Sequence, residues 1–128
     1  MNTFEIAGRA MAAQLVRLNT IASNLANTGA VSGTESGAYR ALKPMFTTSY
    51  DGARATVDAT SITRTGTPEK RNDPKHPLAD AQGNIWIAAV DPNQEMVEMV
   101  ETSRQYANNV EVLTTAKALS LDTLRLGR

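Results

Sequence analysis

"LNTIASNLANTG", residues 18–29, passes twelve positions without a charge, yet more than half of them are Asn, Thr, Ser or Gly. A helix through this stretch has a surface that is neither apolar nor ionic. Upstream, Phe4, Ala7, Met11, Leu18, Ile21 and Leu25 recur at heptad spacing, interrupted only by Gln14, which is the pattern of a helix packed along one seam. Asn2 followed by Glu5 has the form of a capping box, and Gly29 is a stop signal. Residues 1–27 are therefore predicted to be helical, roughly 38 Å long at 1.5 Å per residue. A surface helix normally opposes its apolar stripe with a charged face. This one carries only Glu5, Arg9 and Arg17, and its back is made of Ala10, Ala13, Thr20, Asn24 and Asn27. Small and amide side chains let other helices approach without the cost of burying ions, so the helix is predicted to be surrounded.

A second helix is predicted over residues 92–128. Asp91 supplies an acidic cap, Pro92 the first helical position and Gln94 a capping-box partner. Met96, Met99, Val100, Tyr106, Val110, Leu113, Leu121 and Leu124 hold one face; Val97, Val112, Ala116 and Leu119 widen it; Gly127 ends it. Its length is roughly 50 Å. Between the helices, residues 28–91 change character. "MFTTSY" (45–50), "TVDATSIT" (56–63) and "NIWIAAV" (84–90) are β-prone, and "PEKRNDPKHP" (68–77) is predicted as a solvated loop.

The expected fold is thus mainly α with a small β insert. Its N- and C-terminal helices pair as an antiparallel coiled coil, with a short β-hairpin or meander between them. Residues 1–27 and 92–128 together form a coiled-coil assembly domain, and 28–91 a Gly/Pro-rich loop and small β module. The predicted terminal-helix seam is Phe4, Met11, Leu18, Ile21, Leu25, Met96, Met99, Val100, Tyr106, Val110, Leu113, Leu121 and Leu124. One two-helix seam leaves the other faces of both helices in water, so further helical neighbours are expected from other subunits, and the termini are expected to be weakly ordered in the free monomer and to fold on association.

Composition narrows the function. Thirteen basic and thirteen acidic residues cancel, which removes the electrostatic case for nucleic acid or an anionic membrane. Aromatics are 5% of the chain, thin material for a self-contained core. There is no Cys, hence no disulfide, thiol catalysis or Cys-based zinc site. No apolar run is long enough to span a bilayer, and "FEIAGRAMAA" (4–13) interrupts with Glu5 and Arg9 what a secretory signal keeps apolar. The lone histidine, His76, sits between Lys75 and Pro77 with no nucleophile or metal cluster in reach of its sequence neighbourhood. "DAQG" at 80–83 lacks the ligand spacing of a calcium loop and reads as a turn. No enzyme, no cofactor, no metal and no small-molecule substrate is expected.

"ASNLANTGAVSGTESGAYRA" (22–41) resembles the N-terminal signature of bacterial flagellar axial proteins: Ala-x-Asn-Leu-Ala-Asn, a Gly-rich turn, then an aromatic–Arg pair, here Tyr39-Arg40. "EMVEMVETSRQYANNVEVLTTAKALSLDTLRLG" (95–127) resembles the matching terminal helix. "NDPKHPLADAQGNIWIAAVDPNQEMV" (72–97) is similar to the proximal rod group in particular, although Asn84-Ile85-Trp86 and Pro92 depart from its habits. The resemblance covers about two thirds of the chain. It implies a structural subunit of the flagellar basal-body rod, a hollow shaft crossing the periplasm, whose paired terminal helices line the core. It also implies export through the flagellar channel without a cleaved signal peptide. Implied partners are copies of the chain, other rod proteins and an adaptor subunit at the export-gate and MS-ring base. Asn24 and Asn27, with Tyr39 and Arg40, are then expected to make lumen-facing or inter-subunit polar contacts. A soluble helical adaptor or chaperone of the export system is the alternative reading.

Overall fold

A computed structural model describes residues 2–127, so the outermost residues of the two predicted helical segments, Met1 and Arg128, lie outside the described residues. The elements run α1 (Thr3–Ala26), β1 (Val31–Ser32), β2 (Ala41–Asp51), β3 (Arg54–Thr65), β4 (Glu69–Asn72), β5 (Asn84–Ile87) and α2 (Pro92–Leu126).

Both helices start where their caps place them. The Asn2 side chain accepts from the Glu5 backbone N–H at 2.9 Å while Glu5 accepts from the Asn2 N–H at 3.2 Å, satisfying two otherwise orphaned donors. α1 ends at Asn27, and Gly29, at φ 76°, turns the chain away. The Asp91 carboxylate accepts from the N–H groups of Asn93 (3.1 Å) and Gln94 (3.4 Å). The reciprocal bond expected from Gln94 does not form; its amide donates one turn onward to Glu98. Because Asp91 holds two of the four open N–H groups alone, Asp91→Ala is expected to cost about 1 kcal/mol, read as a lowered thermal midpoint.

The β part between the helices forms two small sheets, one of two strands and one of three, and the architecture is mixed α/β. β2 and β3 make an antiparallel hairpin of 11 and 12 residues, with a bulge between Met45 and Phe46. Gly52, first of its two turn residues, has φ 63°, as a glycine-led two-residue turn requires. A separate antiparallel sheet has the order β1–β5–β4. β4 overturns the reading of residues 68–77 as loop throughout: Glu69 to Asn72 pair with Ile87 to Asn84, and the loop begins only at Asp73. An exposed edge strand tolerates the charges that argue against a strand in sequence. β5 in turn stops at Ile87, short of the predicted Val90. Ala88 and Ala89 leave the ladder to donate to the carbonyls of Ala30 (2.9 Å) and Tyr39 (2.8 Å).

α1 is the centre of the molecule. It packs on α2 on one side and on both hairpin strands on another, while among the described residues the backbone of α2 comes close only to that of α1. Asn109 of α2 donates to Gln14 at 3.0 Å, and Thr3 sits beside Val112 and Leu119, so the helices run in opposite directions. Gln14, the break in the apolar stripe, thus has a partner. The core is built from small residues: Ala7, Ala13, Ala38, Ala41 and Ala88 with Ile21 and Ile85. The largest fully buried side chains are Ile21, Asn24, Thr56 and Thr102. Three of those four are polar, so this interior supplies little of the hydrophobic burial on which small domains rely.

Candidate assembly surface

The charge-poor back of α1 is covered by the chain's own hairpin, not by another helix as its composition predicted. Asn24 is 1% exposed. Its amide oxygen accepts from the Leu42 N–H at 2.8 Å and its amide nitrogen donates to the Leu42 carbonyl at 3.0 Å. The side chain therefore pairs with β2 as a neighbouring strand residue would. The Tyr39 hydroxyl adds a third bond to the same oxygen at 2.8 Å and lies 2.9 Å from Ser23 Oγ. Within this chain Asn24, expected to face a lumen or a neighbour, is turned inward: its buried amide makes three hydrogen bonds, two to Leu42 and one to Tyr39. Asn27, half-buried, donates to the Ser23 carbonyl of its own helix. Arg40 bridges Ala89 by backbone pairing at the mouth of the hairpin.

The arginines of α1 are absorbed by the same hairpin. Arg9 reaches Thr56 at 3.4 Å and Asp58 at 3.6 Å, and Arg17 stacks 5.7 Å from the centre of the Phe46 ring. From β2, Lys43 crosses to Glu98 of α2 at 3.1 Å. None of these pairings is legible from residue spacing, since each joins segments far apart in the chain.

The predicted seam divides in two. On α1, Ile21 is buried, Met11, Leu18 and Leu25 are half-buried, and Phe4 is exposed. On α2, only Tyr106 and Leu113 are half-buried, alongside a largely polar inner row: Glu95 and Thr102, both buried, then Gln105 and Asn109. The remaining seam residues, Met96, Met99, Val100, Val110, Leu121 and Leu124, are exposed, Leu124 by 69% and Met96 by 53%. α2 is therefore turned with a polar face towards its partner helix and apolar residues towards solvent. Glu95 Oε2 and Thr102 Oγ1 are buried without a hydrogen-bond partner, a further sign that the pairing is not optimised for the isolated chain. Met96, Val97 and Val100 line an open groove rimmed by Glu101, Arg104 and Gln105.

The loop between β4 and β5 is held by its own turn chemistry. Asp80 accepts from Gln82 and Asn84 N–H groups, and His76 Nδ1 accepts from the Leu78 N–H at 3.1 Å. No helix is long and apolar enough to cross a membrane among the described residues.

Comparison with known proteins places both ends of the chain in one context. Residues 4–33 match the model for "Flagella basal body rod protein", and residues 81–126 match the model for the C-terminal region of flagellar basal body rod FlgEFG proteins. The flagellar basal-body rod protein FlgC of Salmonella typhimurium is 44% identical over 131 residues, covering 100% of this chain and 98% of that protein. FlgC of Escherichia coli O157:H7 is 42% identical with the same coverage. FlgC of Aquifex aeolicus is 29% identical over 92% of this chain and 90% of its own length. With two helices at its ends, a small β part between them and this identity along its whole length, the chain belongs to the FlgC family of flagellar basal-body rod proteins.

Proposed function

We propose that this structural subunit of the bacterial flagellar basal-body rod polymerises through its two terminal helices. Paired as an antiparallel coiled coil, they build the wall of a hollow shaft that transmits torque and lets export substrates pass. Residues 1–27 with 92–128 act as the assembly unit, and residues 28–91 as a loop-and-β unit standing on it. The work is structural, not catalytic. Partners are copies of the chain and other rod proteins, with an adaptor subunit at the export-gate and MS-ring base below. The chain reaches the periplasmic section of the rod through the flagellar export channel. Asn27 and Arg40 serve polar contacts between subunits.

One observation carries this reading: α2 leaves Met96, Val100, Val110, Leu121 and Leu124 in solvent while a largely polar row faces α1. A stable monomer buries its apolar side chains; contiguous exposed ones mark a surface awaiting a partner. Beside that stands the family membership, which supplies a rod for the surface to enter. The test is to express the chain in a bacterium lacking its own proximal rod subunit. Restored swimming, with the chain present in purified basal bodies, is the expected result. A chain that remains in the cytoplasm as a well-folded monomer or dimer would favour the adaptor reading. Dilute protein is further expected to melt cooperatively yet to show less 222 nm ellipticity than two complete helices give, with the outer turns of α2 gaining helicity as concentration rises.

A further inference from the structure

α1 has three sides. One faces α2 and a second faces the hairpin. The third runs from Glu5 to Ala26 in alternating steps of three and four residues, and every residue on it is exposed. Its residues are mostly small, and its only charge is Glu5. α2 carries a stripe of the same alternating spacing from Met96 to Lys117, again exposed at every position, with Lys117 as its only charge. The two stripes lie on sides of the helices that the intrachain contact does not use, so one chain cannot bring them together.

We infer that they meet between copies: α2 of one subunit lies against the outward stripe of α1 of the next. This rests on the reading of the terminal helices as the assembly elements, and adds which helix meets which, and in what register. Copies pointing the same way along a shaft present α2 of one antiparallel to α1 of its neighbour, as within the chain. The charges fix the register, because Glu5 and Lys117 attract when they stand opposite each other. That single alignment determines every other layer, and each one is complementary. Ala12 falls opposite Val110, Ala22 opposite Val100 and Ala26 opposite Met96, a small residue against a larger one each time. Leu15 falls opposite Ala107, with the sizes exchanged. Asn19 falls opposite Ser103, amide against hydroxyl. Knobs are thus met by spaces along the whole contact, the condition for close helix packing. The register also sets neighbours level with each other, since the intrachain pair Gln14–Asn109 lies at the same height along the helices. Each copy offers one stripe of each kind, so the contact is heterologous and passes from copy to copy around a ring or shallow helix.

The absence of native cysteine allows a direct test. Differently tagged single-cysteine variants are co-expressed in a strain lacking its own proximal rod subunit, and the purified basal bodies are oxidised. A disulfide needs Cα atoms within about 7 Å, so Ala22→Cys with Val100→Cys, and Ala12→Cys with Val110→Cys, are expected to cross-link about tenfold more than the exchanged combinations. Equal cross-linking of the exchanged combinations overturns the register. Val100→Cys joined chiefly to itself, or cross-links only to a different rod protein, overturns the pairing between copies. Unsubstituted chain missing from the basal bodies overturns the rod reading itself, a separate outcome. A size exchange gives a second readout. Ala107→Leu is expected to stop swimming while leaving the melting of the isolated chain unchanged, and Leu15→Ala in the same chain to restore it. Failure of the double variant to swim better than Ala107→Leu overturns the Leu15–Ala107 layer.

Discussion

Asn24→Leu is expected to destabilise the isolated chain by about 3 kcal/mol, the cost of leaving buried donors and acceptors unpaired. Leucine suits a helix better than asparagine, so propensity does not oppose the change; its bulkier methyl groups crowd a site that is 1% exposed, a smaller term, and the main loss lies elsewhere. That loss is polar. Removing the amide strands the Leu42 N–H and carbonyl at the root of β2, bonded now at 2.8 and 3.0 Å, and the Tyr39 hydroxyl at 2.8 Å. Against a total stability of about 5–15 kcal/mol for a domain, that is a large fraction, and the thermal midpoint is expected to fall by roughly 10 °C. Tyr39→Phe removes one of the three bonds and is expected to cost about 1 kcal/mol. Asn27→Leu is the internal control. Its amide bonds only the Ser23 carbonyl of its own helix, so its midpoint is expected to move little. Equal losses at positions 24 and 27 would show that the strand-like pairing with Leu42 carries no weight.

The same network shows where reading the sequence stops. Local signals were legible: Asn2 with Glu5 and Asp91 with Pro92 start the two helices where the structure has them, because a cap is decided within four residues. The hairpin strands 41–51 and 54–65 contain the β-prone stretches, since β-branched residues fit a pleat whatever packs on it. β4 was not legible. "EKRN" has no apolar period, and only its ladder with β5 makes it a strand. The unusual surface of residues 18–29 reads as a demand for neighbours, and its Asn24 side finds one within the chain, in β2. An amide face suits a helix across the way, and equally a backbone strand whose N–H and carbonyl it pairs. Only the tertiary arrangement, which sets Asn24 on Leu42, decides between the two. On α2 the apolar residues were identified while their direction was not. Heptad counting collects Tyr106 and Leu113 with Val110 and Leu121, yet the first two turn towards α1 and the others away, because Glu95, Thr102 and Asn109 take the inner row.

Val110→Asp is expected to remove the chain from the rod at no cost to the chain alone. Val110 is 41% exposed on the side of α2 turned from α1, so an aspartate there stays solvated in the free protein, and its melt is expected to match the parent's within about 0.5 kcal/mol. Enclosed between helices of an assembly, the same carboxylate has no cation or donor to meet it, and burying an unpaired charge costs several kcal/mol. That cost recurs in every copy, so swimming in soft agar is expected to disappear while secretion of the variant continues. Leu18→Asp and Leu25→Asp also stop swimming, for a different reason. Both positions are half-buried on the stripe of α1 that faces α2, and the charge disrupts the pair before any assembly begins, lowering the melt as well. The contrast in melting separates an outward assembly face from an inward packing face, which a motility defect alone does not. Parental swimming with Val110→Asp in place would leave the outward apolar residues of α2 without a role in the rod.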